Sequence, residues 1–406
     1  MMHFLLSLQM QEEFFDKNVD QLEGWSHVRL FWEKHVRKLN HEKMFESNYR
    51  MSEKAFNKLV KLLKPHLIHT GHKSRVSQPV YAELMVALTI RYFAGAQYPD
   101  LCDRYTINRS WMYKVRDKVM YAILSCKELD IVFPTEKEDI EQIREDFAAH
   151  SKENVINRCV GVMDGLLQPT LTPSVKDCNG NQTGYFSGHY QTPGLNCQGM
   201  CDAWLRFTFF AVAAPGKVPD QVALERTNFK RSILNRIKED FLYVLADAAY
   251  TLSNGVLIPF TGSQRENPDN DAFNFCLSQL RIRIEMAFGR LIGKWRILRS
   301  PLEQHSLQQN INVIMCCVRL HNFVIDQDFD FRTDTVDYGN EFHSIQPMTI
   351  NGISAENNLG YLPVVEPFRD IAGISEMRNI IVEHIHREKI RRPQYNIARN
   401  TSNNLT

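Results

Sequence analysis

Three carboxylates in this chain have the residue types, surroundings and order that phosphoryl chemistry needs. Asp164 follows the apolar residues Cys159, Val160, Val162 and Met163 in RCVGVMDG, and Asp247 follows the apolar run Phe241 to Ala246 in FLYVLADAAY. Glu285 lies in RIRIEMAFGRLIGKWRIL, from Arg281 to Leu298, among Arg281, Arg283, Arg290 and Lys294. Hard divalent ions such as Mg²⁺ or Mn²⁺ prefer oxygen ligands and are held by a few carboxylates together with substrate phosphate oxygens. Two such ions about 3.5–4 Å apart can activate an attacking water or 3′-hydroxyl and stabilise the leaving oxygen of an in-line displacement. Three converging carboxylates repel one another, so at least one should titrate abnormally without metal.

The elements that must position these groups can be read from patterning. A short apolar run ended by Asp164-Gly165, and a second ended by Asp247, each read as a buried strand with its aspartate at the carboxyl end, where open α/β sheets place their sites. Ile284, Phe288, Leu291 and Ile292 recur at three and four residues, which predicts an amphipathic helix with an apolar face. Glu285 follows Asp247 by 38 residues (285 minus 247), room for a connection before that helix packs back on the sheet. Taken alone, a single acid among arginines on a helix is an ion-pair partner on a solvated face; the two strand-end aspartates are what favour a metal site.

The fuller stretches resemble one family. GVMDG, YFSGHYQTPGLNCQGMCDAWLRFTFFAVAAPGKVPD, LADAAYTLSNGVLIPF, RIRIEMAFGRLIGKWRIL and CCVRLHNF, in that order over most of Phe45 to Phe323, are similar to the PIF/Harbinger DDE transposases and the Harbinger-derived nucleases. The resemblance implies an RNase H-like catalytic core, with Asp164, Asp247 and Glu285 as its acidic triad, two Mg²⁺ or Mn²⁺ ions, and double-stranded DNA as substrate at element terminal repeats and target sites. It also implies a Myb-like DNA-binding partner protein, a homo-oligomer and nuclear localisation. Two positions depart from the family pattern: Gly165-Leu166-Leu167 replaces a Gly-Thr-His run, and Ala246 replaces a glycine.

The remaining chain frames this site. The expected architecture is α/β: an RNase H-like core, a mixed five-stranded sheet flanked by helices, preceded by an all-helical domain with a helix-turn-helix-like unit. Boundaries fall at 1–44 for an N-terminal helical segment, 45–127 for the helical domain, 128–154 for an acidic linker with a helix, 155–325 for the nuclease core, and 326–406 for an acidic irregular segment and a basic C-terminal helix. The opening MMHFLLSLQM reads as a first helix rather than a signal peptide, because it lacks a basic start. A helix begins at Ser52 and ends at Pro65, and another spans Pro79 to Ala94. Two more join by a turn at Thr106 to Arg109, so that Arg109 and Lys114 open a recognition helix. The alternative is a helical bundle that packs without touching DNA.

Within the core, Tyr185 to Asn196 reads as a loop, and NCQGMCDA with RFTFFAVAA as a hairpin turning at Asp202 to Leu205. Asp202 and Asp220 are rival acids suited to turn chemistry and support. Arg231 to Phe241 reads as a crossover helix, Tyr250 to Phe260 as a loop into a fifth strand, and Thr261 to Asp271 as a mobile connection. Phosphate-facing candidates are Arg281, Arg283, Arg290, Lys294 and Arg296, whereas Trp295 reads as packed. Cys197 and Cys201 lack a matched second pair for zinc, and Cys317 with His321 read as core.

A net charge of +1 means that DNA affinity must come from local patches. Nine cysteines without a framework fit a reducing compartment, and no apolar run approaches the length of a membrane span. The sequence therefore points to a metal-dependent endonuclease with transposase chemistry. The alternatives are a domesticated nuclease or DNA-binding protein, and a nuclease acting on RNA.

Overall fold

The computed structural model describes residues 30–67, 81–238, 240–327 and 373–393, which divide into two compact units. The opening helix expected over MMHFLLSLQM and the acidic segment beyond Gln327 lie outside the described residues, as do Pro79 and Val80. Among the described residues no helix is long and apolar enough to cross a membrane.

The first unit, residues up to Tyr92 together with Ala96 to Val119, is helical. It contains α1 (Trp32–His41), α2 (Phe45–Tyr49), α3 (Glu53–Leu67), most of α4 (Ala82–Phe93), α5 (Tyr98–Tyr105) and the first part of α6 (Arg109–Ser125). Phe56, Leu59, Leu63 and Tyr49 are fully buried, so the apolar stripe read from α3 is the stripe that packs. Helix α3 runs to Leu67 with Pro65 inside its last turn. The stop expected at Pro65 is thus late by two residues, because a proline that near the carboxyl end forfeits one backbone bond without blocking the final turn. Between α5 and α6 the chain turns at Thr106, in a left-handed conformation, and Asn108 Oδ1 accepts the Trp111 backbone N–H at 2.9 Å to cap α6.

The second unit holds the sheet. After α7 (Lys137–His150) come β1 (Cys159–Pro169), β2 (Phe186–Ser187), β3 (Thr192–Cys201) and β4 (Phe207–Pro215). Short helical turns α8 (Asp220–Glu225) and α9 (Asn235–Ile237) lead to β5 (Tyr243–Leu245) and β6 (Val256–Leu257). Two long helices follow, α10 (Pro268–Lys294) and α11 (Leu307–Gln327), and then α12 (Glu376–Arg387). β3 runs antiparallel to β1 and β4, whereas β5 runs parallel to both β1 and β6. This is the mixed sheet flanked by helices that the sequence leads one to expect, with six strands rather than five.

Several boundaries move, each for a physical reason. The segment 185–196 is largely strand: β2 pairs with the start of β3, and the Pro193 carbonyl accepts the Thr170 N–H at 3.0 Å. Pro193 and Gly194 therefore sit in β3, and only about four residues, Gly188 among them, turn. The crossover after β4 is two short helical stretches and a π-turn (Lys230–Leu234), not one helix over Arg231 to Phe241. The connection expected over Thr261 to Asp271 instead contains a 3₁₀ turn (Gly262–Glu266) and the start of α10, where Asn267 caps the Asp269 N–H and Pro268 takes the first helical position.

Helix α11 is fastened to the β3–β4 hairpin by polar groups in an apolar face. Asn322 Oδ1 accepts the Phe207 N–H at 2.8 Å, and Asn322 Nδ2 donates to the Phe207 carbonyl at 2.7 Å. Beside it, buried His321 bonds the Leu205 carbonyl through Nε2 at 2.9 Å, and burial holds its imidazole down at about 3, so it stays neutral and donates. Cys317 is buried next to it, as a core position should be. Replacing Asn322 with Ala strands both backbone groups of Phe207; a loss of about 1–3 kcal/mol of unfolding free energy is expected, read from urea denaturation, and an unchanged midpoint would mean that water satisfies them.

Candidate active site

Asp164 is not at the end of its strand. β1 continues to Pro169, because β3 pairs with it as far as Gly194 and Leu302 then bonds both the Pro169 carbonyl and the Leu171 N–H. What ends near Asp164 is the parallel half of the sheet: the last β1–β5 pair is Val162 with Leu245, and Asp164 and Asp247 each stand two residues beyond it. The two aspartates therefore occupy matching places at the carboxyl edge of the parallel pair, the position that strand-end patterning was meant to identify.

Helix α10 brings Glu285 to the same place. It crosses over β1 and β3 with Ile284, Ala287 and Leu291 buried. It comes close at Gly199, the cross-strand partner of Asp164, where a side-chain methyl would come within 2.9 Å of the Phe288 ring. From this helix Arg281 Nη1 reaches Asp164 Oδ2 at 2.8 Å, and Arg281 Nη2 reaches Glu285 Oε1 at 2.6 Å. One guanidinium thus joins the strand acid to the helix acid. The plain reading of Glu285 as an i, i+4 ion-pair partner is literally present, and the same cation extends the link to Asp164.

Asp247 and Asp220 crowd Asp164 electrostatically. Burial is the main reason that the Asp164 carboxyl is pushed up to about 6; the charges of Asp247 and Asp220 add to it, while Arg281 and the Gly165 N–H, bonded to Oδ1 at 2.8 Å, oppose it. Asp247 folds onto its own turn, accepting the Ala249 N–H at 2.8 Å. Asp220 approaches β1 over Gly165, where a methyl would collide with its Oδ1. Alternation along β1 turns that face away from the one carrying Asp164. Asp220 is held there by Asn196 Nδ2 at 2.8 Å and Gln198 Nε2 at 3.0 Å, and Gln198 Oε1 accepts the buried Tyr250 hydroxyl at 2.7 Å. Asn196, Gln198 and Tyr250 form a polar network around Asp220 that the motif reading passed over. The available signal was two polar residues two apart on an otherwise apolar strand, which places both on one face.

The other candidates are spread out. Asp202 is buried in the hairpin turn, where it accepts the Trp204 and Arg206 N–H groups, and burial raises its carboxyl to about 6. Arg283 lies toward Cys159, Cys201 and Asp202, with burial lowering its pKa. Arg290 and Lys294 are close enough to His321 to help hold it neutral. Arg296 is exposed in the 3₁₀ turn after α10, and Trp295 is fully buried, edge-on to Phe93. In the helical unit Arg109 lies over the Tyr98 ring at 4.4 Å and near Tyr113 at 5.7 Å, and Lys114 is exposed. Cys197 and Cys201 are both buried in β3.

The donor chemistry at Asp164, Asp247 and Glu285 is that of a hard cation site, all carboxylate oxygen with a surplus of negative charge. Arg281 supplies the positive charge in this structure. As the side chains stand, no group of three or more His, Cys, Asp or Glu among the described residues is arranged to hold a metal ion.

Comparison with known proteins bears on the same residues. The profile of the DDE superfamily endonucleases matches residues 163–322, a span that opens one residue before Asp164 and takes in Asp247 and Glu285. Residues 163–322 are thus similar to the DDE superfamily endonucleases. It is 21% identical to "Protein ALP1-like" of Arabidopsis thaliana over 307 residues, covering 70% of this chain and 71% of that protein. It is 22% identical to "Putative nuclease HARBI1" of Xenopus laevis over 281 residues, covering 68% and 76%. The second of these relatives is named as a nuclease. No solved structure gives a significant match. The two strand-edge aspartates and the helical glutamate all fall inside the matched region.

An acid whose pKa is raised by folding stabilises the native state while protonated, and that contribution is lost as the pH climbs through the folded value. For Asp164 the window runs from the ordinary carboxylate range up to about 6. Asp164→Asn is therefore expected to melt with the wild type at about pH 4 and above it at about pH 8. A variant less stable than wild type at the higher pH would show that the Arg281 pair outweighs the burial.

Proposed function

We propose that this protein is a divalent-metal-dependent DNA endonuclease of the PIF/Harbinger type, hydrolysing a phosphodiester at an element end and joining the freed 3′-hydroxyl to target DNA. The observation that carries this reading is the convergence of Asp164 and Glu285 on one guanidinium beside Asp247, inside the span that matches the endonuclease family. Asp164, Asp247 and Glu285 would hold Mg²⁺ or Mn²⁺, as two ions. When bound, the metal supplies charge neutralisation and activation of the attacking oxygen. No covalent protein intermediate is needed.

The chain's own groups prepare that chemistry. Arg281 holds the strand and helix acids in reach of one another against their repulsion, and a divalent cation between them would take over its role. Asn196, Gln198 and Tyr250 fix Asp220 behind β1 and keep negative charge near Asp164, which favours a cation there. Double-stranded DNA is the substrate in this reading, with phosphate contacts from Arg281, Arg290, Lys294 and Arg296 on the core, Arg283 being turned toward buried Cys159 and Cys201, and from Arg109 and Lys114 at the start of α6, the second helix of a helix-turn-helix-like pair. A Myb-like partner, a homo-oligomer and a nuclear location belong to the same proposal. A second reading keeps the cutting and drops strand transfer: a domesticated nuclease, favoured by the name of the Xenopus laevis relative, which calls it a nuclease.

The test is cleavage of a labelled duplex bearing candidate terminal repeats with Mg²⁺, Mn²⁺ or EDTA. Wild type is expected to nick only with metal, and Glu285→Gln to lose cleavage while retaining DNA binding, measured by gel shift. Full strand cleavage by that variant would refute the assignment. Nicking without joining of 3′ ends would select the domesticated nuclease.

A further inference from the structure

An open cleft of about 380 Å³ lies on the Asp220 side of β1, between the turn at residues 181–184 and the segment that runs from the end of β4 into α8. Its walls include Thr183, Pro215, Lys217, Pro219, Val222 and Arg226. The two sides are tied together by backbone: the Lys217 N–H donates to the Gly184 carbonyl at 3.1 Å, and the Gly216 N–H to the Gly194 carbonyl at 2.9 Å. The cleft is therefore built into the sheet edge rather than formed by a stray loop.

Its chemistry is divided. Pro215, Pro219 and Val222, the last 41% exposed, offer apolar surface that a folded domain would ordinarily cover. Lys217 and Arg226 are exposed at the same cleft and have no ion-pair partner among the described residues. A lining of apolar surface with a few convergent polar groups, at this volume, is the composition of a small-molecule-sized site. Apolar surface beside free cations is also what unpaired nucleic acid requires, since the base face needs a dry platform and the phosphate a positive charge.

The cleft also adjoins Asp220, the acid behind β1. The lining residue Pro219 is the immediate neighbour of Asp220, whose carboxylate and the Val218 carbonyl share the Asn196 amide. The cleft wall is thus continuous with the polar network behind Asp164. Tyr190, 60% exposed, stands close enough to feel the charges of Asp220, Asp164 and Asp247, adding an aromatic surface at the rim.

We propose that this cleft receives one unpaired nucleotide of the substrate strand, its base against Pro215, Pro219 and Val222 and its phosphate on Lys217 and Arg226. The inference rests on the nuclease reading above and adds a strand-end preference to it. A duplex with a frayed or tailed end would fill the cleft, whereas a fully paired duplex would leave it empty.

The experiment measures DNA affinity of the full chain carrying Glu285→Gln, so that binding is read without cutting. The probes are a fluorescent blunt duplex and the same duplex with a single-stranded tail. The tailed probe is expected to bind several-fold more tightly. Lys217→Gln and Arg226→Gln should remove that advantage, and the slope of log affinity against log salt should fall by about 0.7–0.9 for each phosphate that is no longer neutralised. Val222→Asp tests the apolar wall separately and should lose the tailed advantage as well. Melting temperature checks that each variant is folded. Equal affinity for the two probes in the parent overturns the inference, as does a tailed advantage that survives both charge removals. Wild-type cleavage is scored in parallel: cutting with no tail preference sinks the cleft alone, and absence of both binding and cutting sinks the nuclease reading with it.

Discussion

Everything at the centre of this protein depends on how negative charge is kept together. Asp164 is half-buried on a central strand, Asp247 stands at the matching place on the next strand, and Glu285 comes down from a helix across the sheet. Like charges at such separations push apart, and burial makes the charged state of Asp164 costlier still. Arg281 resolves part of the conflict by lying between the strand acid and the helix acid. Arginine suits this task better than lysine because its planar fork can bond two carboxylates at once. The result is a site that holds itself in readiness at a cost in stability, the arrangement expected where function and folding compete.

The sheet explains why these groups can meet at all. A short parallel pair, β1 with β5, gives two chains the same direction, so residues equally far past the last pair arrive side by side. The antiparallel partners β3 and β4 carry β1 onward beyond the site and give it a firm far end. Two close approaches then set the depth of the site. Phe288 presses onto Gly199 on one face, and Asp220 presses onto Gly165 on the other. A side chain at either glycine would lift a wall of the site away.

Much of this was legible in the residues, and the limits have physical causes. The three acids could be found because each stood in a local pattern, two at the close of apolar runs and one on a helix of regular period. The hairpin after Asn196 and the short strand near Val256 were equally plain, since alternation and turn chemistry are local properties. Strand ends were not. β1 runs past Asp164 because of hydrogen bonds to β3 and Leu302 that no local pattern encodes, and 185–196 is mostly strand although its Gly and Pro content reads as loop. Arg281 was visible as a cation but not as a bridge, because its partner Asp164 lies 117 residues away. Asp220 remained ambiguous for the same reason: its partners Asn196 and Gln198 lie on another strand.

The last described helix carries a different kind of information. α12 buries Met377, Ile381 and Ile385 and packs along α10. Beyond it, Arg391 bonds Asp269 at 2.5 Å and Arg392 bonds Asp271 at 2.8 Å, both in the first turn of α10. The helix that delivers Glu285 is thus anchored by a segment that enters the chain about fifty residues after the endonuclease match has ended. The unit that evolution can transplant is for that reason larger than the unit recognised by its motifs. A gene rearrangement that carried only residues 163–322 into a new protein would move the acids intact while leaving the brace of their helix behind.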